Sequence, residues 1–153
     1  MTTTKILILN FEEIRRRSVM VWNGLPPEFF QWKSDKTAES FSEVIRHVLE
    51  CERLFHTRIL ARGPLADYAS PWKERPFVSV EAELKFAEPY RKEFLEMIGD
   101  FSERDLDDIV IGKEHPRKLG DYLLRTGYHE AVHTGEFLSN LRTLDIDRPY
   151  IWD

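Results

Sequence analysis

The sequence predicts an all-α protein, a four-helix bundle joined by long ordered crossover loops. Four stretches of three to six turns carry apolar residues at helical spacing, and no run reads convincingly as a strand. The 153 residues are 42% hydrophobic and 32% charged, an ordinary globular composition with enough apolar content for one core. A single domain over residues 1–153, built by packing helix on helix, is the economical architecture.

The first helix is expected over residues 10–22, where Phe11, Ile14, Ser18 and Trp22 share a face and Asn23-Gly24 with Pro26-Pro27 end it. Trp32 then sits in a connection as a bulky anchor. Ser40-Phe41-Ser42-Glu43 has the form of a capping box, in which hydroxyl and carboxylate each satisfy a free backbone N–H. The helix it opens should run to about Leu60 and stop at Gly63-Pro64. Its wide apolar arc, from Phe41 through Ile45, Leu49 and Phe55 to Ile59, calls for packing on more than one side. Residues 64–77, rich in proline and aromatics, form a crossover. A third helix follows over residues 79–98, with Pro89 expected to kink it by removing one backbone hydrogen bond. Residues 101–117 read as a second irregular connection with a short extended piece at 107–111. The fourth helix covers residues 119–142, and residues 145–153 are a tail.

A net charge of −5 and a pI near 5.6 argue against a nucleic-acid partner, whose protein domain is usually basic. The run Arg15-Arg16-Arg17 reads as a solvated helix face. Cys51 is the only cysteine, so no disulfide can form within the chain and a reducing cytoplasm is the expected location. The opening MTTTKILILN has too short an apolar run for a signal peptide or a membrane span.

Chemistry concentrates on the last helix. Residues four apart lie on one face, so Leu119, Tyr122, Thr126, His129, His133, Phe137 and Asn140 form a nearly straight stripe. Two imidazoles one turn apart on a core-facing stripe can grip one metal ion. Of the other histidines, His115 precedes Pro116 in a loop and reads as surface. His47 and His56 share the second helix but point to opposite sides, nine residues apart. His47 lies at the edge of the buried arc and near mid-bundle, as His129 does, so it is the third ligand of choice. Three histidines with an open fourth position make the catalytic pattern, because a structural zinc is normally closed by four protein ligands.

Two other motifs fit less well. His129-Glu130-Ala131-Val132-His133 matches the zincin H-E-x-x-H, with Glu130 as general base. The longer metzincin form needs glycine three residues after the second histidine, whereas here Gly135 follows His133 by two and Ser139 stands where its third histidine belongs. Glu130-x-x-His133 also matches half of a di-iron site, but no second copy exists, so one metal fits better than two.

With a tryptophan-bearing loop, a capped helix carrying an inward His47, and a closing helix reading YHEAVHTGEFLSNLR, the chain resembles the DinB-like family of metal-dependent enzymes along essentially its whole length. That resemblance implies a four-helix bundle, often homodimeric, with His47, His129 and His133 holding zinc or nickel. It also implies a small-molecule substrate and a transferase or isomerase using a low-molecular-weight thiol such as bacillithiol or mycothiol. A three-histidine metal with open positions would equally suit hydrolysis. One departure stands out: many members have Gly-Gln where Gly135-Glu136 stands here, which puts an acceptor where a donor is common.

Glu130 lies about 60° from the centre of the stripe, placed to meet a bound water or to pair on an exposed flank. Cys51 reads as a small apolar residue of the core, and Arg142 as a cation suited to a helix C-terminus. Trp22, Trp32, Trp72 and Tyr128 are either core or the rim of a pocket. The alternative to an enzyme is a non-catalytic, metal-stabilised dimeric bundle acting as an interaction or stress-response protein.

Overall fold

A computed structural model describes residues 1–152; the end of the expected tail, Asp153, lies outside the described residues. Four long helices, α1 (Thr3–Asn23), α2 (Phe41–Ala61), α3 (Val80–Asp100) and α5 (Leu119–Thr143), form the bundle, with a short α4 (Glu103–Asp108) before the last. Helices α1 and α2 face each other diagonally, and each packs against both α3 and α5. No described helix is long and apolar enough to cross a membrane.

Local signals set most boundaries. Ser40 closes the expected capping box: its Oγ accepts from Glu43 N at 3.3 Å, and Ser40 N donates to Glu43 Oε2 at 2.6 Å. At the other end Arg62 turns left-handed at φ 59° and ends α2 just ahead of Gly63-Pro64. Ser79 caps α3, which continues through Pro89 to Asp100. Helix α1 starts seven residues before the expected position. Thr2 Oγ1 accepts from Lys5 N, and Leu7 is buried four residues before Phe11, so the opening apolar run belongs to the helix face.

The connection at 101–117 is more regular than expected. A capping box between Ser102 and Asp105 starts α4, and of the expected extended piece Val110–Ile111 forms a strand, pairing antiparallel with Arg117–Lys118. The Gly112 N–H donates to Arg62 O at 3.1 Å and ties this small hairpin to the end of α2. Gly112 adopts φ +88°, and a Cβ there would press on His115 O at 3.3 Å, so both backbone and space favour glycine.

The core is two apolar clusters stacked along the bundle. One gathers Trp22, Phe41, Ile45, Trp72, Phe137 and Leu141; the other gathers Phe11, Phe55, Phe94, Ile98, Leu119 and Leu123. Trp22 and Trp72 are core residues, Trp32 stacks on Phe41 at 5.4 Å, and Tyr128 is exposed. The tail is anchored: Ile151 is buried and its carbonyl accepts from Arg17 Nε at 2.9 Å.

Candidate metal centre

The α2–α5 contact sets the site. His47 and Cys51 lie one turn apart on α2, as do His129 and His133 on α5, so each helix offers two donors on one face. The Nε2 atoms of His47 and His129 face each other at 3.1 Å. The ring of His133 packs against both, with centroids 4.9 Å from His47 and 4.7 Å from His129. The rings of the three expected histidines thus pack together. Among the described residues, the donor atoms close enough to share one ion are those of His47, Cys51 and His129, and His133 is not among them. His56 points away to Phe94 and Arg53, and His115 is exposed.

The grouping of donor atoms adds to the reading of Cys51, which packs partly buried against the core as expected. Its Sγ lies 3.7 Å from His47 Nε2, and the ligand atoms of His47, Cys51 and His129 fall within 4.8 Å of one another. Cys51 is half-buried rather than sealed in the core, because its helical phase is that of His47 four residues earlier. Burial, then the charge of Glu50, pushes its thiol up to about 11.

The donor set fits a metal. With Zn–N bonds of about 2.0–2.1 Å and Zn–S of about 2.3 Å, neighbouring corners of a tetrahedron lie about 3.4 Å (N to N) and about 3.6 Å (N to S) apart. The observed 3.1 and 3.7 Å are close to both. Burial, followed by the neighbouring His133, His47 and Arg125, holds His129 down to about 4, so its imidazole is neutral near pH 7. His133 Nδ1 lies 3.1 Å from Glu136 Oε2, so an Nδ1–H can donate there and leave Nε2 bare. Glu39 stands 3.9 Å from His47 Nδ1, within electrostatic reach.

Glu130 takes the salt-bridge role of its two expected ones, but inside the bundle and not on an exposed flank. It is buried rather than exposed, and both carboxylate oxygens accept from Arg15, at 2.7 Å from Nε and 3.0 Å from Nη2. Burial opposes its ionisation, but the charge and hydrogen bonds of Arg15, with Arg91 and Ser18, outweigh that and hold the carboxyl below its ordinary value. A carboxylate so held is a poor proton acceptor, and its place is inside the bundle. Arg15 also reaches Glu52, which Arg91 holds from α3. The first arginine of the supposed solvated run thus anchors a buried four-residue ion cluster. Its signal was spacing: Phe11, Arg15, Ser18 and Trp22 fall 4, 3 and 4 residues apart on the inward face of α1.

Fold and site define a class, a four-helix bundle with a histidine-rich cleft between two of its helices. The DinB superfamily model matches residues 10–137, and the chain belongs to that superfamily. The crystal structure of a DinB-like protein from Bacillus subtilis (YjoA) superposes with a TM-score of 0.70, covering 95% of this chain and 96% of that one at 18% identity, a likeness of fold. No curated protein matches the chain.

Proposed function

We propose that the chain is a metal-dependent enzyme for a small-molecule substrate, with one zinc or nickel ion held by His47, His129 and His133. The observation that carries this reading is the convergence of the three rings, led by two imidazole Nε2 atoms 3.1 Å apart. Such an ion, when bound, supplies Lewis acidity or a resting place for a thiolate. The chain's own residues do the rest. Glu136 can accept from His133 Nδ1–H and so keep Nε2 free as a donor atom, a task for which an acceptor suffices and a glutamine is not needed. Phe55 backs His129, its ring 5.5 Å away, and shields that side from water.

Transfer to a low-molecular-weight thiol of the bacillithiol type fits better than hydrolysis, because Glu130 is committed to Arg15 and is no base for a bound water. A homodimer in the cytoplasm accompanies this reading, and the acidic net charge supports no role with nucleic acid.

Cobalt(II) substitution tests the site. The loaded chain should show intense visible bands of a tetrahedral, nitrogen-rich centre that His133→Ala abolishes; a pale spectrum like that of hydrated cobalt would contradict the reading. A near-ultraviolet thiolate band lost in Cys51→Ser would add Cys51 to the donors.

One observation favours the non-catalytic alternative: 3.1 Å is also the length of an imidazole–imidazole hydrogen bond. On that reading His129→Ala leaves every activity unchanged and a chelator does nothing.

A further inference from the structure

One to two helical turns along α2 and α5 from the histidines lies a groove of about 750 Å³, lined among others by Arg58, Lys113, Glu114, Arg117, Tyr122 and Arg125. Four cations meet one carboxylate there, on a chain whose net charge is −5. Elsewhere the arginines that reach inward are matched: Arg15 and Arg91 by Glu52, Arg46 by Glu83, Arg53 by Glu93. None of the four groove cations forms an ion pair with a carboxylate among the described residues. The Nε of Arg58 is buried with no hydrogen-bond partner, and an unmet buried donor is costly.

The groove is joined to the histidine cluster by packed side chains. The Arg125 guanidinium carbon lies 5.8 Å from the centre of the Phe55 ring, which also packs against His129 at 5.5 Å. Arg125 precedes His129 by one helical turn, an axial distance of about 6 Å; Arg58 follows Cys51 by two turns, about 10 Å. The hairpin that carries Lys113 and Arg117 is held against the end of α2 by the Gly112–Arg62 hydrogen bond, so the groove's wall is fixed in place.

We propose that this groove is the anion subsite of the metal centre: it takes the carboxylate end of a small acidic substrate and leaves the other end, a thiol or similar donor, at the histidines. Guanidinium groups suit this task because their N–H donors match the two oxygens of a carboxylate. The span of about 6–10 Å limits the substrate to a molecule of a few carbons between its acidic and reactive ends. The substrate assignment rests on the metal reading, whereas the anion site itself does not.

Two measurements separate them. In the first, succinate and its neutral counterpart succinamide are titrated calorimetrically into the full chain after removal of metal. Succinate should bind, weaken as salt is added, and weaken about tenfold or more in Arg58→Gln and Arg125→Gln, the scale of one charge-assisted hydrogen bond. Lys92→Gln, on a distant exposed face, should change nothing. Both arginines are on the rim of the bundle, and Arg117→Gln gives a third variant if one folds poorly. Equal binding of succinate and succinamide, no binding of either, or binding undiminished in the arginine variants overturns the proposal. In the second, mercaptosuccinate and uncharged 1-thioglycerol are compared on the cobalt-loaded chain. The acid should perturb the cobalt spectrum at about tenfold lower concentration, an advantage lost in the double arginine variant. Cobalt binding with no preference between the thiols defeats the subsite while the metal reading stands. Succinate binding to a chain that takes up no metal supports the subsite and defeats the metal reading.

Discussion

Two polar clusters sit at the same height in the bundle, built from adjacent residues of the same helices. On α2, Cys51 faces the cleft and Glu52 faces inward; on α5, His129 faces the cleft and Glu130 faces inward. The inner cluster is closed in charge: Arg15 and Arg91 meet Glu52 and Glu130, and Ser18 with Thr134 completes its edge through a 2.8 Å hydroxyl contact. The cleft cluster is open: imidazoles and a thiol offer lone pairs with no buried cation among them. Two neighbouring polar sites thus differ in what they lack. The first is complete without any ligand and reads as architecture; the second gains most from a cation, and that makes it the candidate for chemistry.

The sharpest way to break this comparison is to remove one partner from the closed cluster. Glu130→Ala leaves Arg15 buried with half its partners and should cost about 3–5 kcal/mol in denaturant unfolding, while the folded variant keeps its metal. If stability holds and metal is lost instead, the roles assigned to Glu130 and His129 are reversed. His129→Ala, one residue earlier, should do the opposite. Metal content falls to near zero, and the metal-free chain loses about 1 kcal/mol or less, since the residue is only half-buried. A large loss of stability in the metal-free chain would make the histidines architectural too.

A finer cut is Glu136→Ala, which removes the acceptor from His133 Nδ1. Metal affinity, measured by competition with a chromophoric chelator, should fall about 10- to 100-fold. An unchanged affinity would mean that His133 needs no orientation or is no ligand.

His56 gives the smallest and most specific contrast, a buried histidine on α2 with no metal partner. Burial, then the Arg53 charge, holds it below its usual 6.5, against a weaker pull from Glu93. A group whose folded pKa is depressed takes up its proton first in the unfolded chain. Stability should therefore decline as pH falls below about 6.5, and His56→Gln should flatten that decline. Parallel pH profiles for the two proteins in urea melts would contradict this.

Most of the bundle was legible because its signals are local. The Ser40 box and the turn at Gly63-Pro64 each act within four residues. The packing of the His47, His129 and His133 rings was legible too, because helical periodicity fixes which residues share a face. What escaped depends on partners far along the chain. Arg15 is separated from Glu130 by 115 residues, and no local pattern says whether an arginine on an inward face will find a buried carboxylate or turn back to water. Cys51 escaped for a related reason: its phase relative to His47 was visible, but the distance between α2 and α5 at that level was not. Helix α4 lay under a capping box of Ser102 and Asp105 in a segment too short for an apolar period to show.

Elemental analysis of the purified chain beside its His47→Ala variant bears most directly on the open cluster. About one equivalent of zinc or nickel per chain, lost in the variant while the helical circular-dichroism signal is kept, is the predicted result. Equal metal in both proteins, or none in either, would contradict it.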